Sequence, residues 1–163
     1  MYQTVAQPDR GRGYEAPPPP PAHPEFAPGG ETQTDYDSEA AAEPLRVLVV
    51  DDAPDVTEMI ALMMSYAGYS VVTAFSAAEA LDAARTQRFD AIISDIGMPG
   101  MSGYQLAEAL RALPAYRSTP LIAVTGFTMY EDRERARSAG FDDFLNKPIS
   151  PSALVDAVKR LCG

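Results

Sequence analysis

Asp51 and Asp52 stand side by side at the end of an apolar run, in the stretch LRVLVVDDAPD that begins at Leu45. A turn at that point needs at most one carboxylate, and a second adds repulsion. A third carboxylate, Asp95, follows another apolar run in SDIGMPGMSG, and two more polar residues end later runs, Thr125 in IAVTGF and Lys147 in DDFLNKP. Carboxylates gathered in one place raise one another's pKa values, and a hard divalent cation removes that difficulty. Mg²⁺ suits such a set, because it takes a few carboxylate oxygens, a carbonyl and several waters. Asp51, Asp52 and Asp95 are the expected side-chain ligands, with the backbone carbonyl of Gly97 as a further one. A cation alone does not require Thr125 and Lys147. A hydroxyl and an ammonium facing Mg²⁺ and a carboxylate are what a bound phosphoryl group needs around its oxygens. The nucleophile is then a carboxylate that forms an acyl phosphate. Asp95 fits that role best, since it stands alone between the Asp pair and the lysine.

Each residue also has a plainer reading. The Asp pair can cap a helix, Asp95 can close an Asx turn, and Lys147 and Thr125 can be ordinary loop and strand-end residues. Their placement at successive strand ends favours the joint reading over these separate ones.

The elements that must position these residues are legible from periodicity. Short apolar runs cover Leu45–Val50, Ser70–Ala74, Ala91–Ser94, Leu121–Thr125 and Asp143–Asn146, and longer amphipathic stretches lie between them. The first, third and fourth runs are almost continuously apolar, as parallel strands covered on both faces require. Pro54 suits a first helical turn, Gly68 and Gly140 suit helix ends, and Ser150-Pro151 opens the last helix, expected to end near Leu161. Ser76 with Glu79, Ser102 with Gln105 and Thr128 with Glu131 have capping-box spacing. Alternation of this kind predicts right-handed crossovers and a three-layer α/β sandwich. In such a sheet ligands bind beyond the carboxyl ends of the strands, which is where Asp51, Asp52, Asp95, Thr125 and Lys147 all fall.

Composition excludes several function classes. The 163-residue chain carries a formal net charge of −10 with pI near 4.4, against a nucleic-acid binder, which needs clustered Lys and Arg. No apolar run approaches the roughly 20 residues of a membrane helix, and the lone Cys162 has no internal disulfide partner. A reducing cytoplasm is the expected location. Residues 1–44 hold nine of the fifteen prolines, including Pro17–Pro21, and a net charge of −6. That composition predicts a disordered tail and places the domain at 45–163. The proline run is expected to be a polyproline II spacer. His23 has no second ligand at metal-binding spacing and lacks the helical setting of a phosphodonor histidine.

Taken together, VVDD, D-x-x-M-P-x-M-x-G over Asp95–Gly103, Thr125 and F-x-x-K-P over Phe144–Pro148 resemble the receiver domain of bacterial two-component response regulators. The likeness covers essentially all of residues 45–161. It implies a flavodoxin-like (βα)5 sandwich with strand order 2-1-3-4-5, and phosphorylation of Asp95 by a histidine kinase or phosphotransfer protein. Asp51 and Asp52 would hold Mg²⁺, while Thr125 and Lys147 contact the phosphoryl oxygens. It also implies an inward swing of Phe144, a cis Lys147–Pro148 peptide, and a partner surface on the fourth helix, fifth strand and fifth helix. Two departures concern rates: Ala53 stands where many members have Glu or Asn, and Gly126 where many have Ala. Phe127 beside Gly126 is bulky enough to shield the site.

A haloacid-dehalogenase-like phosphohydrolase shares the Asp nucleophile, Mg²⁺ and Lys, but wants a second carboxylate two residues after the nucleophile. Gly97 occupies that position, so the acyl phosphate would persist, as a switch requires and an enzyme does not. A structural pseudo-receiver would lack some of these five residues, and none is missing. Only Cys162 and Gly163 follow the last helix, so a single-domain regulator acting through another protein is expected, with the receiver of a hybrid kinase as the alternative. Met59, Met63 and Met64 are expected to pack a helix, and Arg133, Arg135 and Arg137 to form a solvated, salt-bridged face.

Overall fold

Five short strands pair in parallel in the order β2-β1-β3-β4-β5. They are β1 (Arg46–Val50), β2 (Ser70–Ala74), β3 (Ala91–Ser94), β4 (Leu121–Thr125) and β5 (Asp143–Asn146). The computed structural model describes residues 43–126 and 130–163. The tail reading and the shielding by Phe127 therefore lie outside the described residues, as does the cap expected at Thr128. Helices follow each strand: α1 (Pro54–Tyr66), α2 (Ala77–Thr86), α3 (Gly103–Ala112), α4 (Tyr130–Ala139) and α5 (Pro151–Cys162), with a 3₁₀ turn at Pro114–Tyr116. This is the three-layer sandwich that the sequence pattern predicts, with the flavodoxin-like strand order that the resemblance implies.

Successive strand side chains point to opposite faces, and each face of the sheet has its own core. Val47, Val49, Ile93, Ile122 and Val124 pack against Ile60 and Met64 of α1 and Leu154 and Val158 of α5. Leu48, Val50, Ile92 and Ala123 pack against Leu81 of α2, Leu106 and Leu110 of α3 and Ala136 of α4. Each of the valines, leucines, isoleucines and Met64 contributes about 1.5–3 kcal/mol when fully buried, so covering both faces fixes the register. α4 is the thinly packed element: of its ten residues only Ala136 and Ala139 are buried.

The helix ends follow the sequence signals. Ser102 and Gln105 form a reciprocal capping box, while Ser76 and Ser150 accept the backbone N–H groups of Glu79 and Ala153. Glu79 departs from the reciprocal pattern, since its carboxylate accepts from the Phe75 N–H at 2.8 Å. Gly68 and Gly140 turn the chain out of α1 and α4 with φ of 96° and 120°, which L side chains rarely adopt. Met64 is buried and Met63 partly so, but Met59 is exposed, a correction to the expected packing of all three. Among the described residues no helix is long and apolar enough to cross a membrane.

Candidate functional site

Sheet register brings the carboxylates together. Val50 is paired with Ser94, so the residues that follow them, Asp51 and Asp95, leave adjacent strands at the same level. The Asp95 N–H donates to the Val50 carbonyl at 2.8 Å, and the Asp51 N–H to the Ala74 carbonyl at 3.2 Å. On the other side Thr125 pairs with Asn146, and the Lys147 N–H donates to the Thr125 carbonyl at 2.9 Å. All five predicted side chains therefore belong to one edge of the sheet. Asp51, Asp95 and Thr125 are buried, Lys147 is half-buried and Asp52 is exposed.

Lys147 Nζ donates to Asp51 Oδ2 at 2.9 Å and lies 3.4 Å from Asp95 Oδ2. Asp51 Oδ1 accepts the Ala53 N–H at 2.9 Å, and Asp95 Oδ1 accepts the Ile96 N–H at 2.8 Å. One oxygen of each carboxylate is thus fixed by backbone, and the other faces the ammonium. Oxygens of Asp51, Asp52 and Asp95 all lie within 4.8 Å of one another. Such a hard, all-oxygen donor set suits Mg²⁺.

Burial raises the Asp95 pKa above the ordinary carboxylate value, and the Asp51 charge raises it further, against the opposing pull of Lys147 and the Ile96 N–H. Burial alone would lower the Lys147 pKa. Its contacts with Asp51 and Asp95 outweigh that effect, so the ammonium is held more firmly than in water. Charge at this edge is balanced only in part, with one ammonium against a cluster of three carboxylates.

The plainer reading of the Asp pair as a helix cap does not hold. The residue preceding α1 is Ala53, and no side chain caps that end. Instead the Thr57 hydroxyl, fully buried, lies 2.8 Å from the Asp51 carbonyl and 3.0 Å from that of Ala53, close enough to donate to either. Thr57 is a supporting residue that no spacing signal singled out.

Gly103 is another. Its N–H donates to the Ile96 carbonyl at 2.8 Å, and a Cβ placed there would lie 2.2 Å from the Asp95 carbonyl oxygen. The final glycine of the D-x-x-M-P-x-M-x-G stretch is thus needed for close approach of α3 to the Asp95 backbone. Gly97 is exposed in the intervening loop, and a Cβ on Gly126 would meet nothing within 4 Å. Phe144 is half-buried on β5, and Lys147–Pro148 is cis.

The expected solvated face of α4 is present, with Arg133, Arg135 and Arg137 all exposed, but its pairing is only partly by salt bridge. Arg137 does pair with Glu134 at 3.5 Å. The Arg133 guanidinium, however, lies 5.3 Å from the Phe144 ring centre, and that of Arg135 lies 4.3 Å from the centre of Tyr104. Cations stack there because ring faces carry negative potential, which no sequence spacing between residues so far apart reveals.

With fold and site in place, likeness to known proteins is specific. Residues 47–159 match the response regulator receiver domain family. The chain belongs to that family and is a receiver domain of two-component signalling. The polar-differentiation response regulator DivK of Brucella anthropi is 33% identical over 120 residues, covering 74% of this chain and 98% of DivK. The chemotaxis protein CheY4 of Vibrio cholerae superposes with a TM-score of 0.70 at 36% identity, covering 72% of this chain and 98% of CheY4. The receiver domain of the sensor histidine kinase PA1611 of Pseudomonas aeruginosa, solved with a magnesium ion in its active-site cleft, superposes with a TM-score of 0.69 at 32% identity. That match covers 74% of this chain and 98% of the PA1611 domain. In other curated relatives the shared part is smaller, 51% of one and 9% of another.

Proposed function

We propose that Asp95 accepts a phosphoryl group from a histidine of a kinase or phosphotransfer protein, and that this modification switches the surface the domain offers to a downstream protein. The observation that carries this reading is the placement of Lys147 Nζ, 2.9 Å from Asp51 and 3.4 Å from Asp95, in a cluster of three carboxylates. One Asp95 oxygen attacks phosphorus, the phosphorus–nitrogen bond of the donor breaks, and the imidazole leaves. Asp51 and Asp52, with Asp95 and the Gly97 carbonyl, would hold Mg²⁺. Bound there, the cation supplies positive charge to the equatorial phosphoryl oxygens. Lys147 neutralises a further oxygen, and the Thr125 hydroxyl donates to another.

Gly97 offers no carboxylate to activate water, so hydrolysis is slow and the phosphorylated state lasts. That favours a switch over a phosphohydrolase. The family pattern then draws Phe144 inward as Thr125 turns toward the phosphoryl group, shifting population toward a repacked α4–β5–α5 surface. A second reading, the receiver of a longer sensor kinase, is favoured by the likeness to the PA1611 domain. The same chemistry serves both. The Pro17–Pro21 run would serve as a spacer, and the lone cysteine fits a cytoplasmic setting.

Intact mass after incubation with Mg²⁺ and acetyl phosphate tests the central claim. Wild type should gain one phosphoryl group, Asp95→Asn none, and EDTA should abolish the gain. An adduct that persists in Asp95→Asn would overturn the assignment.

A further inference from the structure

Arg133 and Arg135 lie two residues apart on α4, about 200° around the helix axis. They therefore reach in opposite directions. Arg133 lies over Phe144 on β5, and Arg135 lies over Tyr104 at the start of α3. The Tyr104 hydroxyl also donates to the Asp132 carbonyl at 3.5 Å. α4 buries only two alanines, so these two stacked pairs hold the helix where hydrophobic packing is thin.

The two rings differ in what they are attached to. Tyr104 is buried and follows Gly103, whose Cα is packed on the Asp95 carbonyl, so this anchor is fixed to the acceptor loop. Phe144 is half-buried and borders a groove of about 100 Å³ lined also by Arg133, Ala136, Arg137 and Phe141. That ring has room beside it, and its outer face is covered by a cation.

We infer that Arg133 is a positioning residue that restrains Phe144 and so sets how readily Asp95 is phosphorylated, while Arg135 on Tyr104 is the fixed pivot of α4. The inference rests on the proposed switching of Phe144. Drawing that ring inward breaks the Arg133 contact, which costs free energy only in the phosphorylated state. By linkage, weakening the contact favours phosphorylation, because a ligand and a conformational change affect each other reciprocally. Arg135 keeps its partner in both states, so its loss loosens α4 without favouring phosphorylation.

The experiment compares wild type with Arg133→Ala, Arg133→Lys, Arg135→Ala and, as a control on the same helix, Arg137→Ala. Phosphorylation of Asp95 by acetyl phosphate and Mg²⁺ is followed by intact mass, and amide hydrogen exchange of α4 is measured without donor. Arg133→Ala should raise the phosphorylated fraction about two- to fivefold at sub-saturating donor, the scale of one exposed cation–π contact. Arg133→Lys, which keeps a cation, should fall between that and wild type. Arg137→Ala should match wild type. Arg135→Ala should speed α4 exchange without raising phosphorylation. Equal behaviour of Arg133→Ala and Arg137→Ala, or a rise in phosphorylation for Arg135→Ala, would overturn the inference. If wild type takes no phosphoryl group, the proposed function fails, and exchange alone decides whether the clamps exist: faster α4 exchange in both Ala variants but not in Arg137→Ala supports them, and unchanged exchange removes them.

Discussion

The Lys147 ammonium is bonded to Asp51 at 2.9 Å, closer than its 3.4 Å approach to the proposed acceptor Asp95. The lysine is thus poised beside the acceptor while being held by a residue proposed to bind the cation. Lysine and a cation bound as proposed would share the same carboxylates, and each would weaken the hold of the other.

Lys147→Met separates these effects. Mg²⁺ should bind about tenfold more tightly, corresponding to roughly 1.4 kcal/mol of relieved repulsion, while transfer from acetyl phosphate slows by at least about tenfold. In EDTA the variant should lose about 2 kcal/mol of stability because Asp51 is left buried and unpaired. The loss stays below the ~3–5 kcal/mol of a fully buried pair, since the lysine side chain is 27% exposed. Calorimetric Mg²⁺ titration checks the first claim, and weaker binding than wild type would refute it.

Asp52 is exposed, so its loss should leave the fold intact. Asp52→Asn is expected to hold or raise Tm in EDTA, by about 0.5 kcal/mol at most, because one of three neighbouring like charges is gone. The rise in Tm expected of wild type on adding Mg²⁺, from binding to the folded state by mass action, should shrink sharply. A full Mg²⁺ response in this variant would remove Asp52 from the metal site.

Gly103→Ala places a methyl group 2.2 Å from the Asp95 carbonyl oxygen. Backbone on both sides must shift, at a cost of about 3 kcal/mol, and the acceptor should move with it. Urea unfolding should show the lost stability, and phosphorylation by acetyl phosphate should fall in the molecules that remain folded. An unchanged urea midpoint would show that the loop relaxes freely.

Tyr116 is buried, and its hydroxyl lies 2.8 Å from the Ala84 carbonyl and 2.7 Å from that of Gln87, close enough to donate to either. Tyr116→Phe should cost about 1–2 kcal/mol at neutral pH. Burial raises the phenol pKa, so the folded state prefers the neutral form. That contribution is complete below the unfolded value of about 10 and is lost as pH rises through the folded one. Stability of the variant should therefore decline less steeply than wild type above about pH 10. Parallel curves from denaturation at several pH values would count against this role.

The sequence by itself determined the alternation of strands and helices, the five strand-end residues and the chemistry they suit. Those features are local: apolar period, capping spacing and residue type are written along the chain, and the rules of parallel α/β folds carry each strand end to one edge. Four of five strand boundaries agree with the structure, and β1 begins one residue later than expected, at Arg46. Tertiary structure alone decided which charges pair and which contacts are tight. That Lys147 bonds first to Asp51, that Gly103 must be glycine, that Thr57 holds the Asp51 carbonyl, and that the exposed Arg133 and Arg135 stack on rings all depend on distances between segments. Such distances are set by packing between segments far apart in the chain, where no repeat or spacing in the sequence can record them.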